Sequence, residues 1–168
     1  CGEGLLLALL EKNRRLKLTG VDLRPDMLMS ARKRLASGKR GRHAVKLVKS
    51  DASRLPFPDN RFDLVVCINT FYNIKSASLK LRLLKEMRRV CAKNGSVLVD
   101  LRNSRNPLIS AQYKTAALLE PRMKNKLNTW SVKEFAGLFS RAGLELREKH
   151  PVAVHIGPFS PAFILKAK

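Results

Sequence analysis

Along the chain, segments with apolar residues at helical spacing alternate with short, nearly unbroken apolar runs. Residues 5–13 are rich in Leu, Ala, Glu and Lys and predict a helix. Residues 18–23 (LTGVDL) predict a short buried strand that ends near Asp22. Pro25 and Asp26 suit a first helical turn, and Leu28, Ala31 and Leu35 follow at helical spacing until Gly38 and Gly41. Residues 44–48 predict another strand, ending before Asp51. Pro56, Pro58, Asp59 and Asn60 mark a loop. Residues 62–69 (FDLVVCIN) carry the strongest strand signal. Leu79, Leu83, Met87 and Val90 then form a helical stripe with Lys and Arg opposite. Asn94-Gly95 reads as a turn before a strand over 96–101, and residues 102–129 are irregular, with helical character around 111–119. Ser131 and Glu134 have capping-box spacing for a helix closed by Gly143. Residues 144–154 and 162–167 predict two last strands.

Strands alternating with helices predict an α/β fold, a doubly wound, mostly parallel sheet covered on both faces. The last two strands are joined by a connection too short for a helical crossover, so they are expected to pair antiparallel. With 168 residues the chain suits one domain. It lacks an initiator Met and is expected to be a fragment of a longer protein.

In such sheets ligands bind beyond the carboxyl ends of the strands. The residues there are Gly2-Glu3-Gly4, Asp22, Asp51-Ala52 and Asn69. Glycines before a helix admit a ligand close to the backbone. A carboxylate 18 residues after Gly4 suits ribose hydroxyls, and Asp51 suits an exocyclic amine. The blander alternatives are an ordinary loop for the glycines and cap or turn roles for the acids. A nicotinamide-dinucleotide reading fails, because the third glycine of G-x-G-x-x-G is replaced by Leu7.

Four blocks, CGEG, VDLRPDML, SDASRLPFPDNRFDLVVC and EMRRVCAKNGSVLVDLRN, occur in this order. Together they resemble class I S-adenosylmethionine-dependent methyltransferases of the small-molecule, type 11-like group. The D-A-x-x-L-P-F-x-D-x-x-F-D block from Asp51 to Asp63 is the most specific. The resemblance runs from Cys1 to about Arg102 and weakens beyond it. It implies a Rossmann-like sheet with an antiparallel C-terminal strand pair, and S-adenosyl-L-methionine as cofactor. It implies that Cys1, Gly2 and Gly4 belong to the glycine-rich loop under the methionine part. Asp22 would hold the ribose with Leu23 beside the adenine, Asp51 and Ala52 would read the adenine edge, and Asn69 would lie near the cofactor's amino-acid portion. The family's first strand would precede Cys1, so this polypeptide alone is expected to be poorly stable and to bind cofactor weakly.

Residues 1–168 are thus read as one methyltransferase domain, N-terminally incomplete, with 102–129 as a substrate-side insertion or cap. Tyr72, Asn73, Arg102 and Arg105 are candidates for the acceptor side, with packing as the competing role for Tyr72 and Asn73. Many relatives carry histidines about three residues after the position of Asn69. This chain has Tyr72 and Asn73 there, so no catalytic base is assigned.

The ionic balance, 34 Lys+Arg against 13 Asp+Glu and a formal +21, favours polyanions or an anionic acceptor. Much of the charge falls on helix faces opposite apolar stripes, around 32–42 and 80–93, where solvated surface is expected. An RNA-directed methyltransferase and a non-catalytic binding module with this fold are the alternatives to a small-molecule enzyme. Aromatic residues make up only 6% of the chain, which gives base stacking little support. Cys1, Cys67 and Cys91 and the three histidines are dispersed, so no metal site is expected and a reduced, cytoplasmic setting is. No apolar run reaches the length of a membrane span.

Overall fold

The computed structural model describes residues 1–37, 45–74, 76–104, 106–107, 111, 115, 131–152 and 162–168. The chain forms two compact units, Cys1–Pro56 and Phe57–Lys168. Each holds its own sheet.

In the first unit, α1 (Leu5–Leu10) precedes β1 (Thr19–Asp22), α2 (Pro25–Ala36) and β2 (Lys46–Lys49). The strands pair in parallel, Thr19 with Lys46 through Asp22 with Lys49. The Ser50 amide donates to the Asp22 carbonyl at 3.1 Å, so the carboxyl ends of β1 and β2 finish side by side. Two glycines permit the packing here. A Cβ on Gly4 would lie 3.0 Å from the Ala31 Cβ, and one on Gly20 would lie 2.6 Å from the Leu7 Cδ1. The close approaches of α1 to α2 and of α1 to β1 therefore require the missing side chains. Helix α1 is shorter than the sequence pattern predicts: it stops at Leu10, and Lys12–Lys17 form an exposed connection.

In the second unit, β3 (Phe62–Cys67) leads through one 3-10 turn (Phe71–Asn73) into α3 (Ala77–Val90) and β4 (Cys91–Arg102). Then come α4 (Val132–Arg141), β5 (Leu146–Val152) and β6 (Ala162–Ala167). The sheet order is β3-β4-β6-β5, with β3 and β4 parallel and β6 antiparallel to both its neighbours. The expected antiparallel terminal pair is therefore present. Strand β4 is pleated so that Val97, Val99 and Leu101 are buried. An edge-to-face aromatic row, Phe71 to Phe135 to Phe139, at 5.3 Å for each step, ties the 3-10 turn to α4. Helix α4 starts with a complete capping box: the Ser131 hydroxyl accepts the Glu134 amide, and the Glu134 carboxylate accepts the Ser131 amide at 2.8 Å. It ends at Gly143, whose φ of 74° is left-handed.

Two expectations are corrected. Asn94-Gly95 is not a turn before a strand but a bulge inside β4. Phe62 pairs with Cys91 while Leu64 already pairs with Ser96, so residues 92–95 bow out of the ladder. A Cβ on Gly95 would come within 2.8 Å of the Asp63 carbonyl oxygen. Lys80, placed by the sequence on a solvated face, is fully buried on α3, and burial pulls its ammonium below the ordinary value.

Arg89 organises the loop that the sequence marks most strongly. Its guanidinium donates to Glu86 on its own helix, to the Asp59 carboxylate and to the Phe57 carbonyl, each at 2.8 Å. The Asn60 and Arg61 amides donate to the Arg89 and Val90 carbonyls at 2.9 and 2.8 Å. The P-F-x-D segment is thus an architectural clasp on the end of α3. Among the described residues no helix is long and apolar enough to cross a membrane, and no cluster of His, Cys, Asp and Glu could hold a metal ion.

Candidate functional site

The first unit brings together Cys1, Gly2, Gly4, Asp22, Leu23, Asp51 and Ala52. Asp22 is the last residue of β1, and its carboxylate holds the loop that enters α1. Its Oδ2 accepts the Gly2 amide at 2.7 Å and the Cys1 nitrogen at 2.9 Å, and its Oδ1 accepts the Arg24 amide at 3.0 Å. The Cys1 nitrogen also donates to the Val21 carbonyl. The Cys1 side chain turns inward: a Cβ on Gly20 would lie 3.0 Å from its sulfur. Burial pushes the Asp22 carboxyl up, but the Arg24 amide, the Cys1 nitrogen and the Gly2 amide outweigh it and leave the group below the ordinary carboxylate value. Asp22 is therefore an anion at neutral pH.

Gly2 and Gly4 differ in purpose. Both have left-handed backbones, with φ of 55° and 76°. Gly4 is buried against Ala31, whereas a Cβ on Gly2 would meet nothing within 4 Å. Gly2 thus leaves an open cradle beside a carboxylate, and Leu23, 60% exposed, offers an apolar surface next to it. Asp51 follows β2. Its Oδ1 accepts the Ser53 amide at 2.7 Å, and the Arg54 amide donates to its carbonyl at 3.0 Å. The turn role weighed for Asp51 is therefore realised.

These features fit the nucleoside end of S-adenosylmethionine. A carboxylate offers about four acceptor directions. Three donors on Asp22 leave it able to accept from a ribose hydroxyl, a cradle admits a ligand at Gly2, and an apolar side chain stands ready for a purine face.

The second unit places Asn69, Tyr72, Asn73 and Arg102 around the carboxyl ends of β3 and β4. Asn69 has a left-handed φ of 58°, and its amide donates at 2.8 Å to the Oδ1 of Asp100. The Asn73 Nδ2 donates to the Asn69 carbonyl at 3.2 Å. The Arg102 guanidinium lies over the Tyr72 ring, 5.3 Å from its centroid. Burial raises the Asp100 carboxyl, against the pull of the Asn69 amide and the Arg102 charge. Burial also pushes the Cys67 thiol up to about 11. Asp100, on β4, holds the loop after β3 through its bond from the Asn69 amide. Asn103 and Asn106, just past β4, are also buried, and no spacing along the chain marks them. Arg105 and most of the expected 102–129 cap lie outside the described residues.

In the first unit, a carboxylate ending a strand, an open glycine turn and an adjacent parallel strand end stand at the edge where open α/β sheets take ligands. Comparison with known proteins specifies the class. The model of the methyltransferase domain family matches residues 1–99. The chain is 32% identical over 98 residues to a ubiquinone/menaquinone biosynthesis C-methyltransferase of Hahella chejuensis, a match covering 58% of this chain and 38% of that protein. It is 30% identical over 155 residues to a phosphatidylethanolamine N-methyltransferase of Cereibacter sphaeroides, covering 90% and 70%. Among solved structures, a Methanosarcina mazei S-adenosylmethionine-dependent methyltransferase superposes with a TM-score of 0.78 at 18% identity, over 99% of this chain and 88% of that one. A magnesium protoporphyrin IX methyltransferase from Synechocystis, solved with bound S-adenosylhomocysteine, gives 0.76 at 14% identity, over 99% and 70%. The structural likenesses show the Rossmann-like fold. The chain belongs to the methyltransferase domain family, the class I S-adenosylmethionine-dependent methyltransferases. It spans about two-fifths of the length of the quinone methyltransferases it matches, 38%, 37% and 41% in three of them.

Proposed function

We propose that this chain binds S-adenosylmethionine and directs its methyl group to an O, N or C nucleophile of a small or medium-sized acceptor. The observation that carries this reading is the Asp22 carboxylate gripping the Gly2 amide beside an open, left-handed glycine. When bound, S-adenosylmethionine supplies a methyl group already activated on sulfur. Asp22 would accept from a ribose hydroxyl, Leu23 would stand beside the adenine, Gly2 would admit the chain of the cofactor, and Asp51 with Ala52 would read the adenine edge. In the second unit, Tyr72, Asn73 and Arg102 are the acceptor-side residues of this reading, and Asn69 keeps its place near the cofactor's amino-acid portion. The task left to the protein is to orient the nucleophile and exclude water.

The relatives' names support a small acceptor and include both a C-methyltransferase and an N-methyltransferase. The test is transfer of a labelled methyl group from S-adenosylmethionine to three acceptors: a 1,4-naphthoquinol, dispersed phosphatidylethanolamine and bulk RNA. Label in either small acceptor is expected. Label in RNA alone would replace this reading with an RNA-directed enzyme. Cofactor binding without label in any of the three would favour a binding module.

A further inference from the structure

Arg102 closes β4 in an unusual state for an arginine. Its Nε is buried with no hydrogen-bond partner, and no ion pair reaches its guanidinium among the described residues. The neighbouring acid is Asp100, two residues earlier on the same face of β4, and its Oδ1 takes the Asn69 amide. The plane of charge instead lies on the Tyr72 ring at 5.3 Å. A buried N–H without an acceptor is destabilising. An aromatic face returns part of that cost for a cation and fixes where the guanidinium sits. Its fork of donors matches an oxygen anion, which it binds more strongly than a neutral oxygen. The side chain stands where parallel strands β3 and β4 end, the edge at which open α/β sheets take ligands.

We propose that Arg102, held on Tyr72, is the acceptor-binding residue for a negatively charged oxygen of the methyl acceptor, either a phenolate or a phosphate. This deepens the methyl-transfer reading and rests on it for its role. A phenolate bound there would be the ionised form of an acceptor hydroxyl, held without a strong base nearby. A phosphate bound there would anchor a phosphoester acceptor by its charge.

The test uses the whole chain with 4-nitrophenol, whose phenolate is read by absorbance, and inorganic phosphate as competitor. In the wild type the bound probe is expected to ionise about one pH unit lower than free probe, a tenfold gain in phenolate. Arg102→Gln abolishes the gain, and Arg102→Lys, a point charge without the fork, keeps only part of it. Displacement of the probe by phosphate marks a phosphate acceptor; resistance marks a phenolic one. No shift of the probe and no phosphate binding in the wild type, or a shift unchanged in Arg102→Gln, overturns the proposal. S-adenosylhomocysteine binding, followed separately by thermal shift, confirms that the variants fold; if Arg102→Gln does not, the Arg102→Lys result decides. A wild type that shifts the probe but ignores S-adenosylhomocysteine loses the methyl-transfer reading alone. One that binds S-adenosylhomocysteine but not the probes loses Arg102 alone.

Discussion

The Asp22 carboxylate accepts the Gly2 amide at 2.7 Å, across 20 residues of sequence. One bond therefore couples the end of β1 to the loop that enters α1, and it fixes the glycine in a pose that leaves ligand space open. Asp22 is both a structural clasp and the acid that a ribose would meet.

The two loop glycines should separate binding from stability. Gly2→Ala puts a methyl group into open space at a left-handed φ, a strain of about 1 kcal/mol, and fills the cradle. Gly4→Ala adds the same strain and presses on Ala31, a cost of about 2 kcal/mol or more. Thermal melts and S-adenosylhomocysteine titrations on both variants should show affinity lost chiefly at Gly2 and stability lost chiefly at Gly4.

Asp100 should carry a pH signature. Burial raises its folded-state pKa, so its contribution to stability is full at low pH and is lost as pH rises through that value. Asp100→Asn cannot ionise and keeps an oxygen for the Asn69 amide. Its stability relative to wild type should therefore grow as pH rises through and above the ordinary carboxylate range, read by denaturant unfolding at several pH values. A pH-independent difference would count against the assigned burial.

Two thiols should be quiet in the native chain. Cys91 is 2% exposed and burial raises its thiol, and burial pushes Cys67 up to about 11. Thiolates are the reactive form, so Cys67 and Cys91 should react slowly with a disulfide reagent at pH 8 until denaturant is added, followed thiol by thiol by mass spectrometry. A fast, stoichiometric reaction of either in the native state would show that its placement is wrong.

Local chemistry made much of the fold legible. The Ser131–Glu134 box and Gly143 bound α4 through contacts within a few residues, and they stand where the sequence puts them. The strand end at Asp22, and the turn at Asn69 two residues past β3, are legible because apolar runs stop there. Features set by distant partners were not. Asn94-Gly95 has turn chemistry, yet pairing with β3 draws the segment into a bulged strand. Lys80 follows the polar side of a helical stripe, yet tertiary packing buries it. The bond from Asp100 to Asn69 spans 31 residues, and the Arg89 clasp reaches back 30 to Asp59. No spacing rule announces either one.

The most direct test of the central claim is the affinity of the chain for S-adenosylhomocysteine, by calorimetry, in wild type, Asp22→Asn and Asp22→Ala. One charge-assisted bond to a ribose hydroxyl at about 1.5 kcal/mol corresponds to roughly 10-fold in Kd. Weak but measurable binding by the wild type, weakened further by about that much in Asp22→Ala and less in Asp22→Asn, is the predicted result. Wild-type affinity retained in a folded Asp22→Ala chain would contradict the account.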